Sequence, residues 1–220
     1  RALLPWVGYP ADLGLTGLLL GPVFASPSHG YDPVDHLAVD PRLGDDADFD
    51  RLVSEARGRG INVMLDGVFN HVAREHEWAV AARAGDESKR HYFHVFADRT
   101  LPDAYEQSLP EVFPDFAPGN FTWLPDMQQW VWTTFHEFQW DLDWSNPAVF
   151  AEMISVMLQL ADLGVDALRL VAVAQVGAHP DRRAVDDLVR PLAVGERDRG
   201  EGAVLGGRVL QHHGAVLVGM

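Results

Sequence analysis

The stretch Ile61–His71, with the sequence INVMLDGVFNH, constrains the fold of this chain more than any other. It opens with the nearly continuous apolar run Ile61–Leu65, which is typical of a strand covered on both faces in a parallel sheet. Asp66, Asn70 and His71 follow at the carboxyl end of that run. Ligands bind at this end of the strands in parallel α/β sheets and barrels. The stretch therefore predicts a strand that delivers a carboxylate, an amide and an imidazole to one site.

A second apolar run, Leu15–Phe24, predicts another buried strand earlier in the chain. Between the two runs, Asp45 and Asp46 are suited to cap a helix, and Gly58 and Gly60 are suited to end it. The apolar positions of this helix follow the helical spacing and are Phe49, Leu52, Val53 and Ala56. A strand, a helix and a strand in this order predict a parallel pair with a right-handed crossover.

Residues 72–146 break this alternation. These 75 residues show little periodicity and hold 15 of the chain's 22 aromatic residues. A segment of this length inside a compact domain is usually functional or a small subdomain. Two interpretations stay open at this point: the rings build a core of their own, or some of them form platforms that stack on a sugar ring.

The alternation resumes at Ser145-Asn146-Pro147, where a capping residue precedes proline at the start of a predicted helix. Its apolar stripe consists of Phe150, Met153, Ile154, Met157 and Leu160. Gly164 ends the helix, and Val165–Leu170 is the third predicted strand. The order of elements predicts an α/β fold, either a (β/α) barrel or a doubly wound sheet.

The segment 177–220 differs in composition from the rest, with eight glycines, six arginines, no aromatic residue and no lysine in 44 residues. Such a break is typical of a domain boundary or a disordered tail, and a shifted reading frame would also produce it.

The composition excludes several classes of protein. The formal net charge is −15, which argues against nucleic acid or an anionic membrane as a partner, because phosphate contacts need Lys and Arg. There is no cysteine, so we expect neither a disulfide framework nor a thiolate nucleophile. No apolar run has the length of a membrane span, and the histidines lack the spacing of a zinc site. The sequence begins at Arg1 instead of an initiator Met, from which we expect a piece of a longer protein. It shows no signal-peptide pattern, from which we expect a cytoplasmic location.

Several motifs, in order, resemble the α-amylase superfamily of glycoside hydrolases and transglucosylases. They are DGVFNH at residues 66–71, the family's D-x-x-x-N-H region; GLTGL at 14–18; GYD at 30–32; and GVDALRLVA at 164–172, similar to its G-x-R-x-D-A region. The segment from Trp130 to Pro147, with FPD at 113–115 before it, is more similar to amylosucrases and related sucrose-acting members. The resemblance covers residues 3–176.

This resemblance implies a (β/α)₈ barrel, of which the chain holds strands two to four with an aromatic-rich insert after strand three. Residues 1–71 form the first part of the barrel, 72–146 the insert, 147–176 a barrel helix and strand four, and 177–220 the atypical tail.

The resemblance also implies retaining cleavage of an α-glucoside or oligosaccharide, with two carboxyls about 5 Å apart. By position, Arg169 orients the nucleophile, and Asp66 and His71 line the sugar subsite, where His71 bonds a sugar hydroxyl. Tyr31 stacks on the sugar, Asp32 belongs to the same loop, and Phe135 is an aromatic wall beside it. No cofactor is expected, although Asn70 corresponds to a calcium ligand in some members.

The chain departs from the family at the nucleophile, whose position is Val171. No convincing general acid follows; Glu196 lies only 25 residues later, which is short for a helix, two loops and a strand. Ser28 stands where amylosucrases carry an acid, which weakens the prediction of sucrose specificity. Three hypotheses remain: an inactive piece of a glucosidase or glucosyltransferase, which we prefer, a non-catalytic carbohydrate-binding relative, and an unrelated structural domain.

Overall fold

The computed structural model describes residues 3–171 and the backbone of 217–219. The strands are β1 (Gly17–Leu20), β2 (Asn62–Gly67), β3 (His71–Ala73), β4 (Val95–Phe96), β5 (Phe121–Leu124), β6 (Gln129–Trp132), β7 (Gln139–Asp141), β8 (Ala167–Leu170) and β9 (Leu217–Gly219). The helices are a 3₁₀ turn (Leu4–Trp6), α1 (Gly8–Asp12), α2 (Asp46–Gly58), α3 (Glu77–Arg83), α4 (Glu87–Arg90), α5 (Thr100–Glu106) and α6 (Pro147–Asp162).

The chain divides into two compact units. The first comprises Arg1–Val23, Leu37–Gly67 and Val156–Met220, and the second comprises Phe24–His36 and Val68–Ser155. The domain limits predicted at residues 71, 146 and 176 stay predictions. Residues 172–216, which include most of the tail and Glu196, lie outside the described residues.

The sheet of the first unit has the strand order β1-β2-β8-β9. The pairs β1–β2 and β2–β8 are parallel, whereas β9 runs antiparallel to β8. The three strands predicted from sequence are therefore present and parallel, as expected. The fold is α/β with a partial sheet.

Helix α2 forms for the reasons that its sequence indicates. Asp45 is its N-cap: the carboxylate accepts a hydrogen bond from the backbone N–H of Asp48 at 2.8 Å. The Asp48 carboxylate accepts one in return from the Asp45 N–H at 3.3 Å, which completes a capping box. All four predicted apolar positions of the helix are buried. At its carboxyl end Gly60 has a φ of +71°, a left-handed value that favours glycine.

The burial predicted for the Leu15–Phe24 strand is wrong. Only Gly17–Leu20 is extended, its residues alternate between exposed and half-buried, and Leu19 is 46% exposed. Within the described part of the sheet β1 is an edge strand, so one side has no neighbouring strand to cover it. The inner strand β2 matches the prediction better, because Val63 and Leu65 are fully buried.

The second unit is more regular than its sequence suggests. Strand β3 pairs antiparallel with β7, and β4, β6 and β5 form an antiparallel sheet. Eight of its nineteen phenylalanine, tyrosine and tryptophan side chains are buried, and they are Phe24, Phe69, Trp78, Tyr92, Phe93, Phe121, Trp132 and Trp140. Phe116, by contrast, is 68% exposed. Within the described residues, no helix has both the length and the apolar character that a membrane crossing requires.

Candidate functional site

Two predicted site residues of the first unit, Asp66 and Arg169, form an ion pair. They are register partners at the carboxyl ends of the parallel strands β2 and β8. The guanidinium donates from Nε to Oδ1 at 2.5 Å and from its terminal nitrogen to Oδ2 at 2.6 Å. The Asp66 side chain has no exposed surface, and that of Arg169 is 39% exposed. This planar two-bond geometry is the strongest kind of ion pair that a carboxylate makes in a protein.

Val171 follows Arg169 by two residues and continues the same strand end, with its N–H donating to the Gly67 carbonyl at 3.1 Å. Its branched alkyl side chain offers neither a nucleophile nor a proton. Asp166, the carboxylate just before β8, is used structurally: Oδ2 accepts from the Val63 N–H at 2.8 Å and Oδ1 from Arg57 at 3.2 Å. Asp166 therefore does not replace the acid that the family carries at position 171.

His71 is at the centre of a cluster of predicted site residues within the second unit. Its Nε2 lies 2.7 Å from the Tyr31 carbonyl oxygen, to which it donates when that nitrogen carries the ring proton, and 3.0 Å from the Gln139 side-chain nitrogen. The Gln139 side-chain nitrogen donates to the same carbonyl at 2.6 Å. Nδ1 lies 3.5 Å from the Asn70 amide nitrogen. Burial lowers the pKa of His71 to about 4, so the ring is neutral near pH 7.

His71 was expected to bond a sugar hydroxyl. Its hydrogen bond to the Tyr31 carbonyl occupies the ring N–H that such a bond would use. In the structure His71 instead ties β3 to the loop that carries Tyr31, 40 residues earlier. The aromatic wall expected at Phe135 packs on the same imidazole, with ring centroids 5.1 Å apart. The Tyr31 carbonyl, His71 and Phe135 thus lie close together, and their roles in sugar binding stay predictions.

Asp32 is almost fully buried beside them, with 1% of its surface exposed. Its Oδ2 accepts hydrogen bonds from the Ser28 N–H at 3.1 Å and the Ser28 hydroxyl at 2.6 Å. Oδ1 has no hydrogen-bond partner among the described residues, although His29 Nδ1 lies 3.5 Å away. A buried carboxylate oxygen without a donor is unusual and is a place where a ligand hydroxyl can bind.

Asn70 belongs to a buried network with Asp141. The Asp141 carboxylate accepts from the Thr134 hydroxyl at 2.5 Å, from the Thr134 N–H at 3.2 Å and from the Asn70 side chain. Calcium takes six to eight oxygen ligands. Within the described residues no three acidic, histidine or cysteine side chains cluster, and the Asp141 oxygens already accept internal hydrogen bonds. These residues do not fit a calcium ion, and we assign Asn70 a structural role in this network.

The network makes a prediction about pH. Burial raises the pKa of Asp141 to about 7 from its usual 3.8, so the folded state holds a proton that the unfolded state loses in this window. Asp141 therefore removes stability as pH rises from about 4 to 7, by about 1.4 kcal/mol per pH unit at most. His71 and His76, whose pKa values fall to about 4 and about 3, act oppositely because their unfolded forms bind the extra proton below pH 6.5.

Asp141→Asn removes the loss of stability with rising pH that Asp141 causes and leaves the opposite effect of His71 and His76. We expect the free energy of unfolding, measured in urea at pH 4.5, 5.5 and 6.5, to rise with pH more steeply in this variant than in the unmodified chain. Asp143→Asn, an acid-to-amide change two residues along the chain, is the control. Parallel slopes for Asp141→Asn and the unmodified chain would show that Asp141 is already ionised in the folded state.

Sequence reasoning missed Gln139, Thr134 and Asp141 as members of the site. Gln139 is buried, bonds the Tyr31 carbonyl, and leaves its own Oε1 without a partner among the described residues. The signal for them lies in strand β7, where Gln139 and Asp141 flank Trp140 and all three are buried. Polar side chains inside a core need hydrogen-bond partners, which indicates a buried network.

Comparison with known proteins identifies the family of the chain. The family model of the alpha amylase catalytic domain matches residues 6–205, which include the first part of the unusual tail. The chain is 35% identical over 185 residues to trehalose-6-phosphate hydrolase of Escherichia coli K12, covering 82% of this chain and 32% of that protein. It is 34% identical over 182 residues to trehalose synthase of Pimelobacter sp. R48, covering 82% and 31%.

Among solved structures, the trehalulose synthase MutB of Pseudomonas mesoacidophila MX-45 matches with a TM-score of 0.71 and 30% identity, over 79% of this chain and 31% of that one. The chain thus spans about a third of the length of the relatives that it matches. The family match over most of the sequence confirms the resemblance that the motifs carry: the chain belongs to the alpha-amylase family, through its catalytic domain.

Proposed function

We propose that this chain is part of a catalytic domain acting on α-glucosides, and that its own residues recognise the sugar without cleaving it. In this proposal β1, β2 and β8 are barrel strands two, three and four, and the aromatic-rich segment is the insert after strand three. Tyr31, Asp32 and Phe135 bind the glucosyl ring, and His71 holds the Tyr31 loop in place through its hydrogen bond to the Tyr31 carbonyl. Asp66 and Arg169 are the pair that would orient a nucleophile.

The observation that carries the proposal is the buried Oδ1 of Asp32, which accepts no hydrogen bond from any described residue. A carboxylate oxygen buried without a donor is destabilising unless a ligand supplies one. It lies in the loop next to Tyr31, whose carbonyl is held in place by His71 and Gln139. A sugar hydroxyl is a neutral donor of the right size, and the acidic charge of the chain disfavours an anionic ligand.

Loss of cleavage follows from chemistry at Val171. Retaining glycosidases need a carboxylate that forms a covalent bond to the anomeric carbon, and valine forms none. The relatives indicate the type of ligand: they are named for trehalose and its 6-phosphate, and MutB was crystallised with sucrose. We therefore take α-linked disaccharides as the candidates. The alternative is that the chain is a non-catalytic carbohydrate-binding relative. Both hypotheses predict sugar binding without cleavage, and they differ only in whether the chain is a piece of a complete enzyme.

The test is a binding titration of the full chain with methyl α-D-glucoside, paired with an assay for released glucose from maltose. We expect saturable binding and no glucose release. Asp32→Asn keeps the shape but turns an acceptor oxygen into a donor, so affinity should fall about tenfold, the effect of one buried hydrogen bond to a charged group. Asp35→Asn, an exposed neighbour, is the matched control. Equal affinities for the two variants, or turnover by the unmodified chain, would contradict the proposal.

A further inference from the structure

Strand β1 has an open edge on the first unit. The Asn62 N–H donates to the Thr16 carbonyl at 2.9 Å, so Thr16 and, by the alternation of a strand, Leu18 direct their backbone groups toward β2. The backbone N–H and C=O groups of Gly17 and Leu19 therefore point to the opposite side. Within the described part of the sheet, no strand lies on that side. An open edge of this kind can pair with a strand of another chain.

The side chains along this edge alternate between leucine and glycine. Leu15 and Leu19 are 53% and 46% exposed, and glycines at the same two-residue spacing stand at positions 17 and 21. A Cβ added at Gly17 would meet only the Asn62 carbonyl oxygen among the described atoms, at 3.8 Å. One added at Gly21 would meet no described atom within 4 Å. The edge thus presents exposed leucines and open spaces in turn.

This alternation is self-complementary about Leu18. In an antiparallel pair of two copies with the twofold axis at Leu18, Gly17 of one copy lies opposite Leu19 of the other, and Leu15 lies opposite Gly21. Each exposed leucine then packs over a residue without a side chain, and Gly17 and Leu19 exchange N–H···O bonds. An axis at Gly17 would instead place Leu15 opposite Leu19 and glycine opposite glycine, which leaves the space over Gly17 unfilled.

Charge favours a second copy of the chain as the partner. From Leu13 to Ser28 the sequence contains no Asp, Glu, Lys or Arg, although the chain as a whole has a net charge of −15. Copies of the chain repel each other through their acidic surfaces, and this repulsion is weakest where an uncharged segment meets its own copy. Charged side chains, which protect many natural sheet edges against such pairing, are absent from this segment.

We propose that two copies of the chain associate through their β1 edges, as an antiparallel pair with the twofold axis at Leu18. The described four-stranded sheets of the two copies then join into one sheet of eight strands. A twofold contact uses the same edge on both copies and therefore closes at a dimer. Because the paired segment is short and stable interfaces bury about 1,200–2,000 Å², we expect a weak dimer, with a Kd on the order of 10 μM. The inference does not depend on sugar binding.

Sedimentation velocity of the full chain, from about 1 to about 100 μM, tests the association. Gly17→Val fills the space that Leu19 of the second copy would occupy, with a side chain that suits a strand. Leu19→Lys places a charge on the same edge. We expect each variant to raise the Kd at least about tenfold, the scale of one lost leucine contact. Leu158→Lys, at a 57% exposed leucine of α6 in the same unit, is the matched control and should leave the Kd unchanged.

Disulfide crosslinking tests the register, since the chain has no cysteine of its own. The two copies of residue 18 would lie directly opposite each other with Cα atoms about 4.5 Å apart, which is within the range of a disulfide. Leu18→Cys should therefore give a covalent dimer under mild oxidation. Leu20→Cys is the matched control, because Leu20 is half-buried like Leu18 but would lie opposite Thr16, which leaves its two copies too far apart to bridge.

Several results would overturn the proposal. One is a chain that sediments as a monomer at about 100 μM. Another is a dimer that both edge variants leave intact, because its interface would then lie elsewhere. Species larger than a dimer would show open-ended assembly instead of a closed twofold contact, and equal crosslinking of Leu18→Cys and Leu20→Cys would show that the register is wrong. Near-UV circular dichroism establishes that each variant is folded, and Leu19→Lys decides the result if Gly17→Val does not fold.

Discussion

Val171→Asp is expected to let the chain react with α-D-glucosyl fluoride, which the unmodified chain should leave intact. The new carboxylate would attack the anomeric carbon, a bond to its oxygen would form, and fluoride would leave with the bonding electrons. Fluoride needs no protonation, so the reaction does not depend on a general acid. Loss of a nucleophile removes on the order of 10⁶ in rate in a well-studied hydrolase. We expect the rate of fluoride release to rise at least about 100-fold over background. The rest of the lost rate depends on the other catalytic acids and should not return.

The measurement is fluoride release together with mass spectrometry of the intact chain, which detects a covalently attached glucosyl group. Val171→Asn is the control: it has nearly the same shape as aspartate and cannot form the intermediate. Equal fluoride release from the two variants, with no adduct on either, would show that position 171 does not face a bound glucosyl ring.

Local sequence signals accounted for the elements that depend on local contacts. The capping residue Asp45, the apolar face of α2 and the run before Asp66 each act through neighbours within a few residues, so pattern alone located α2 and β2. The exposure of Leu19 was not predictable in this way. Whether an apolar strand is covered depends on which strands lie beside it, and no residue of the strand itself encodes that.

The second unit shows a different limit of sequence reasoning. Its strands are two to four residues long, too short for periodicity to appear, and two of the three pairings, β3–β7 and β4–β6, join segments far apart in the chain. The resemblance named Tyr31, His71 and Phe135, and the structure brings them together. The hydrogen bond of His71 was beyond the sequence, because its partner is a backbone carbonyl of the Tyr31 loop. The network of Asp141 with Thr134 was also missed, because it depends on how the folded backbone places these two residues side by side.

The other large effect is expected for Arg169→Ala, on stability rather than on chemistry. The variant removes a two-bond cation from Asp66, whose side chain has no exposed surface. Breaking one partner of a buried ion pair typically destabilises a protein by about 3–5 kcal/mol, because a buried charge loses its compensation. We expect a loss near the lower end of that range, since the guanidinium is 39% exposed and water can partly replace it.

The free energy of unfolding from urea titrations measures this loss. Arg57→Ala is the matched control: it breaks a pair with Asp166 in the same unit, where both side chains reach solvent, and should lose less than about 1 kcal/mol. Adding Asp66→Asn to Arg169→Ala removes the stranded charge and should restore a large part of the stability. A similar loss for Arg57→Ala and Arg169→Ala would mean that other groups compensate the charge of Asp66.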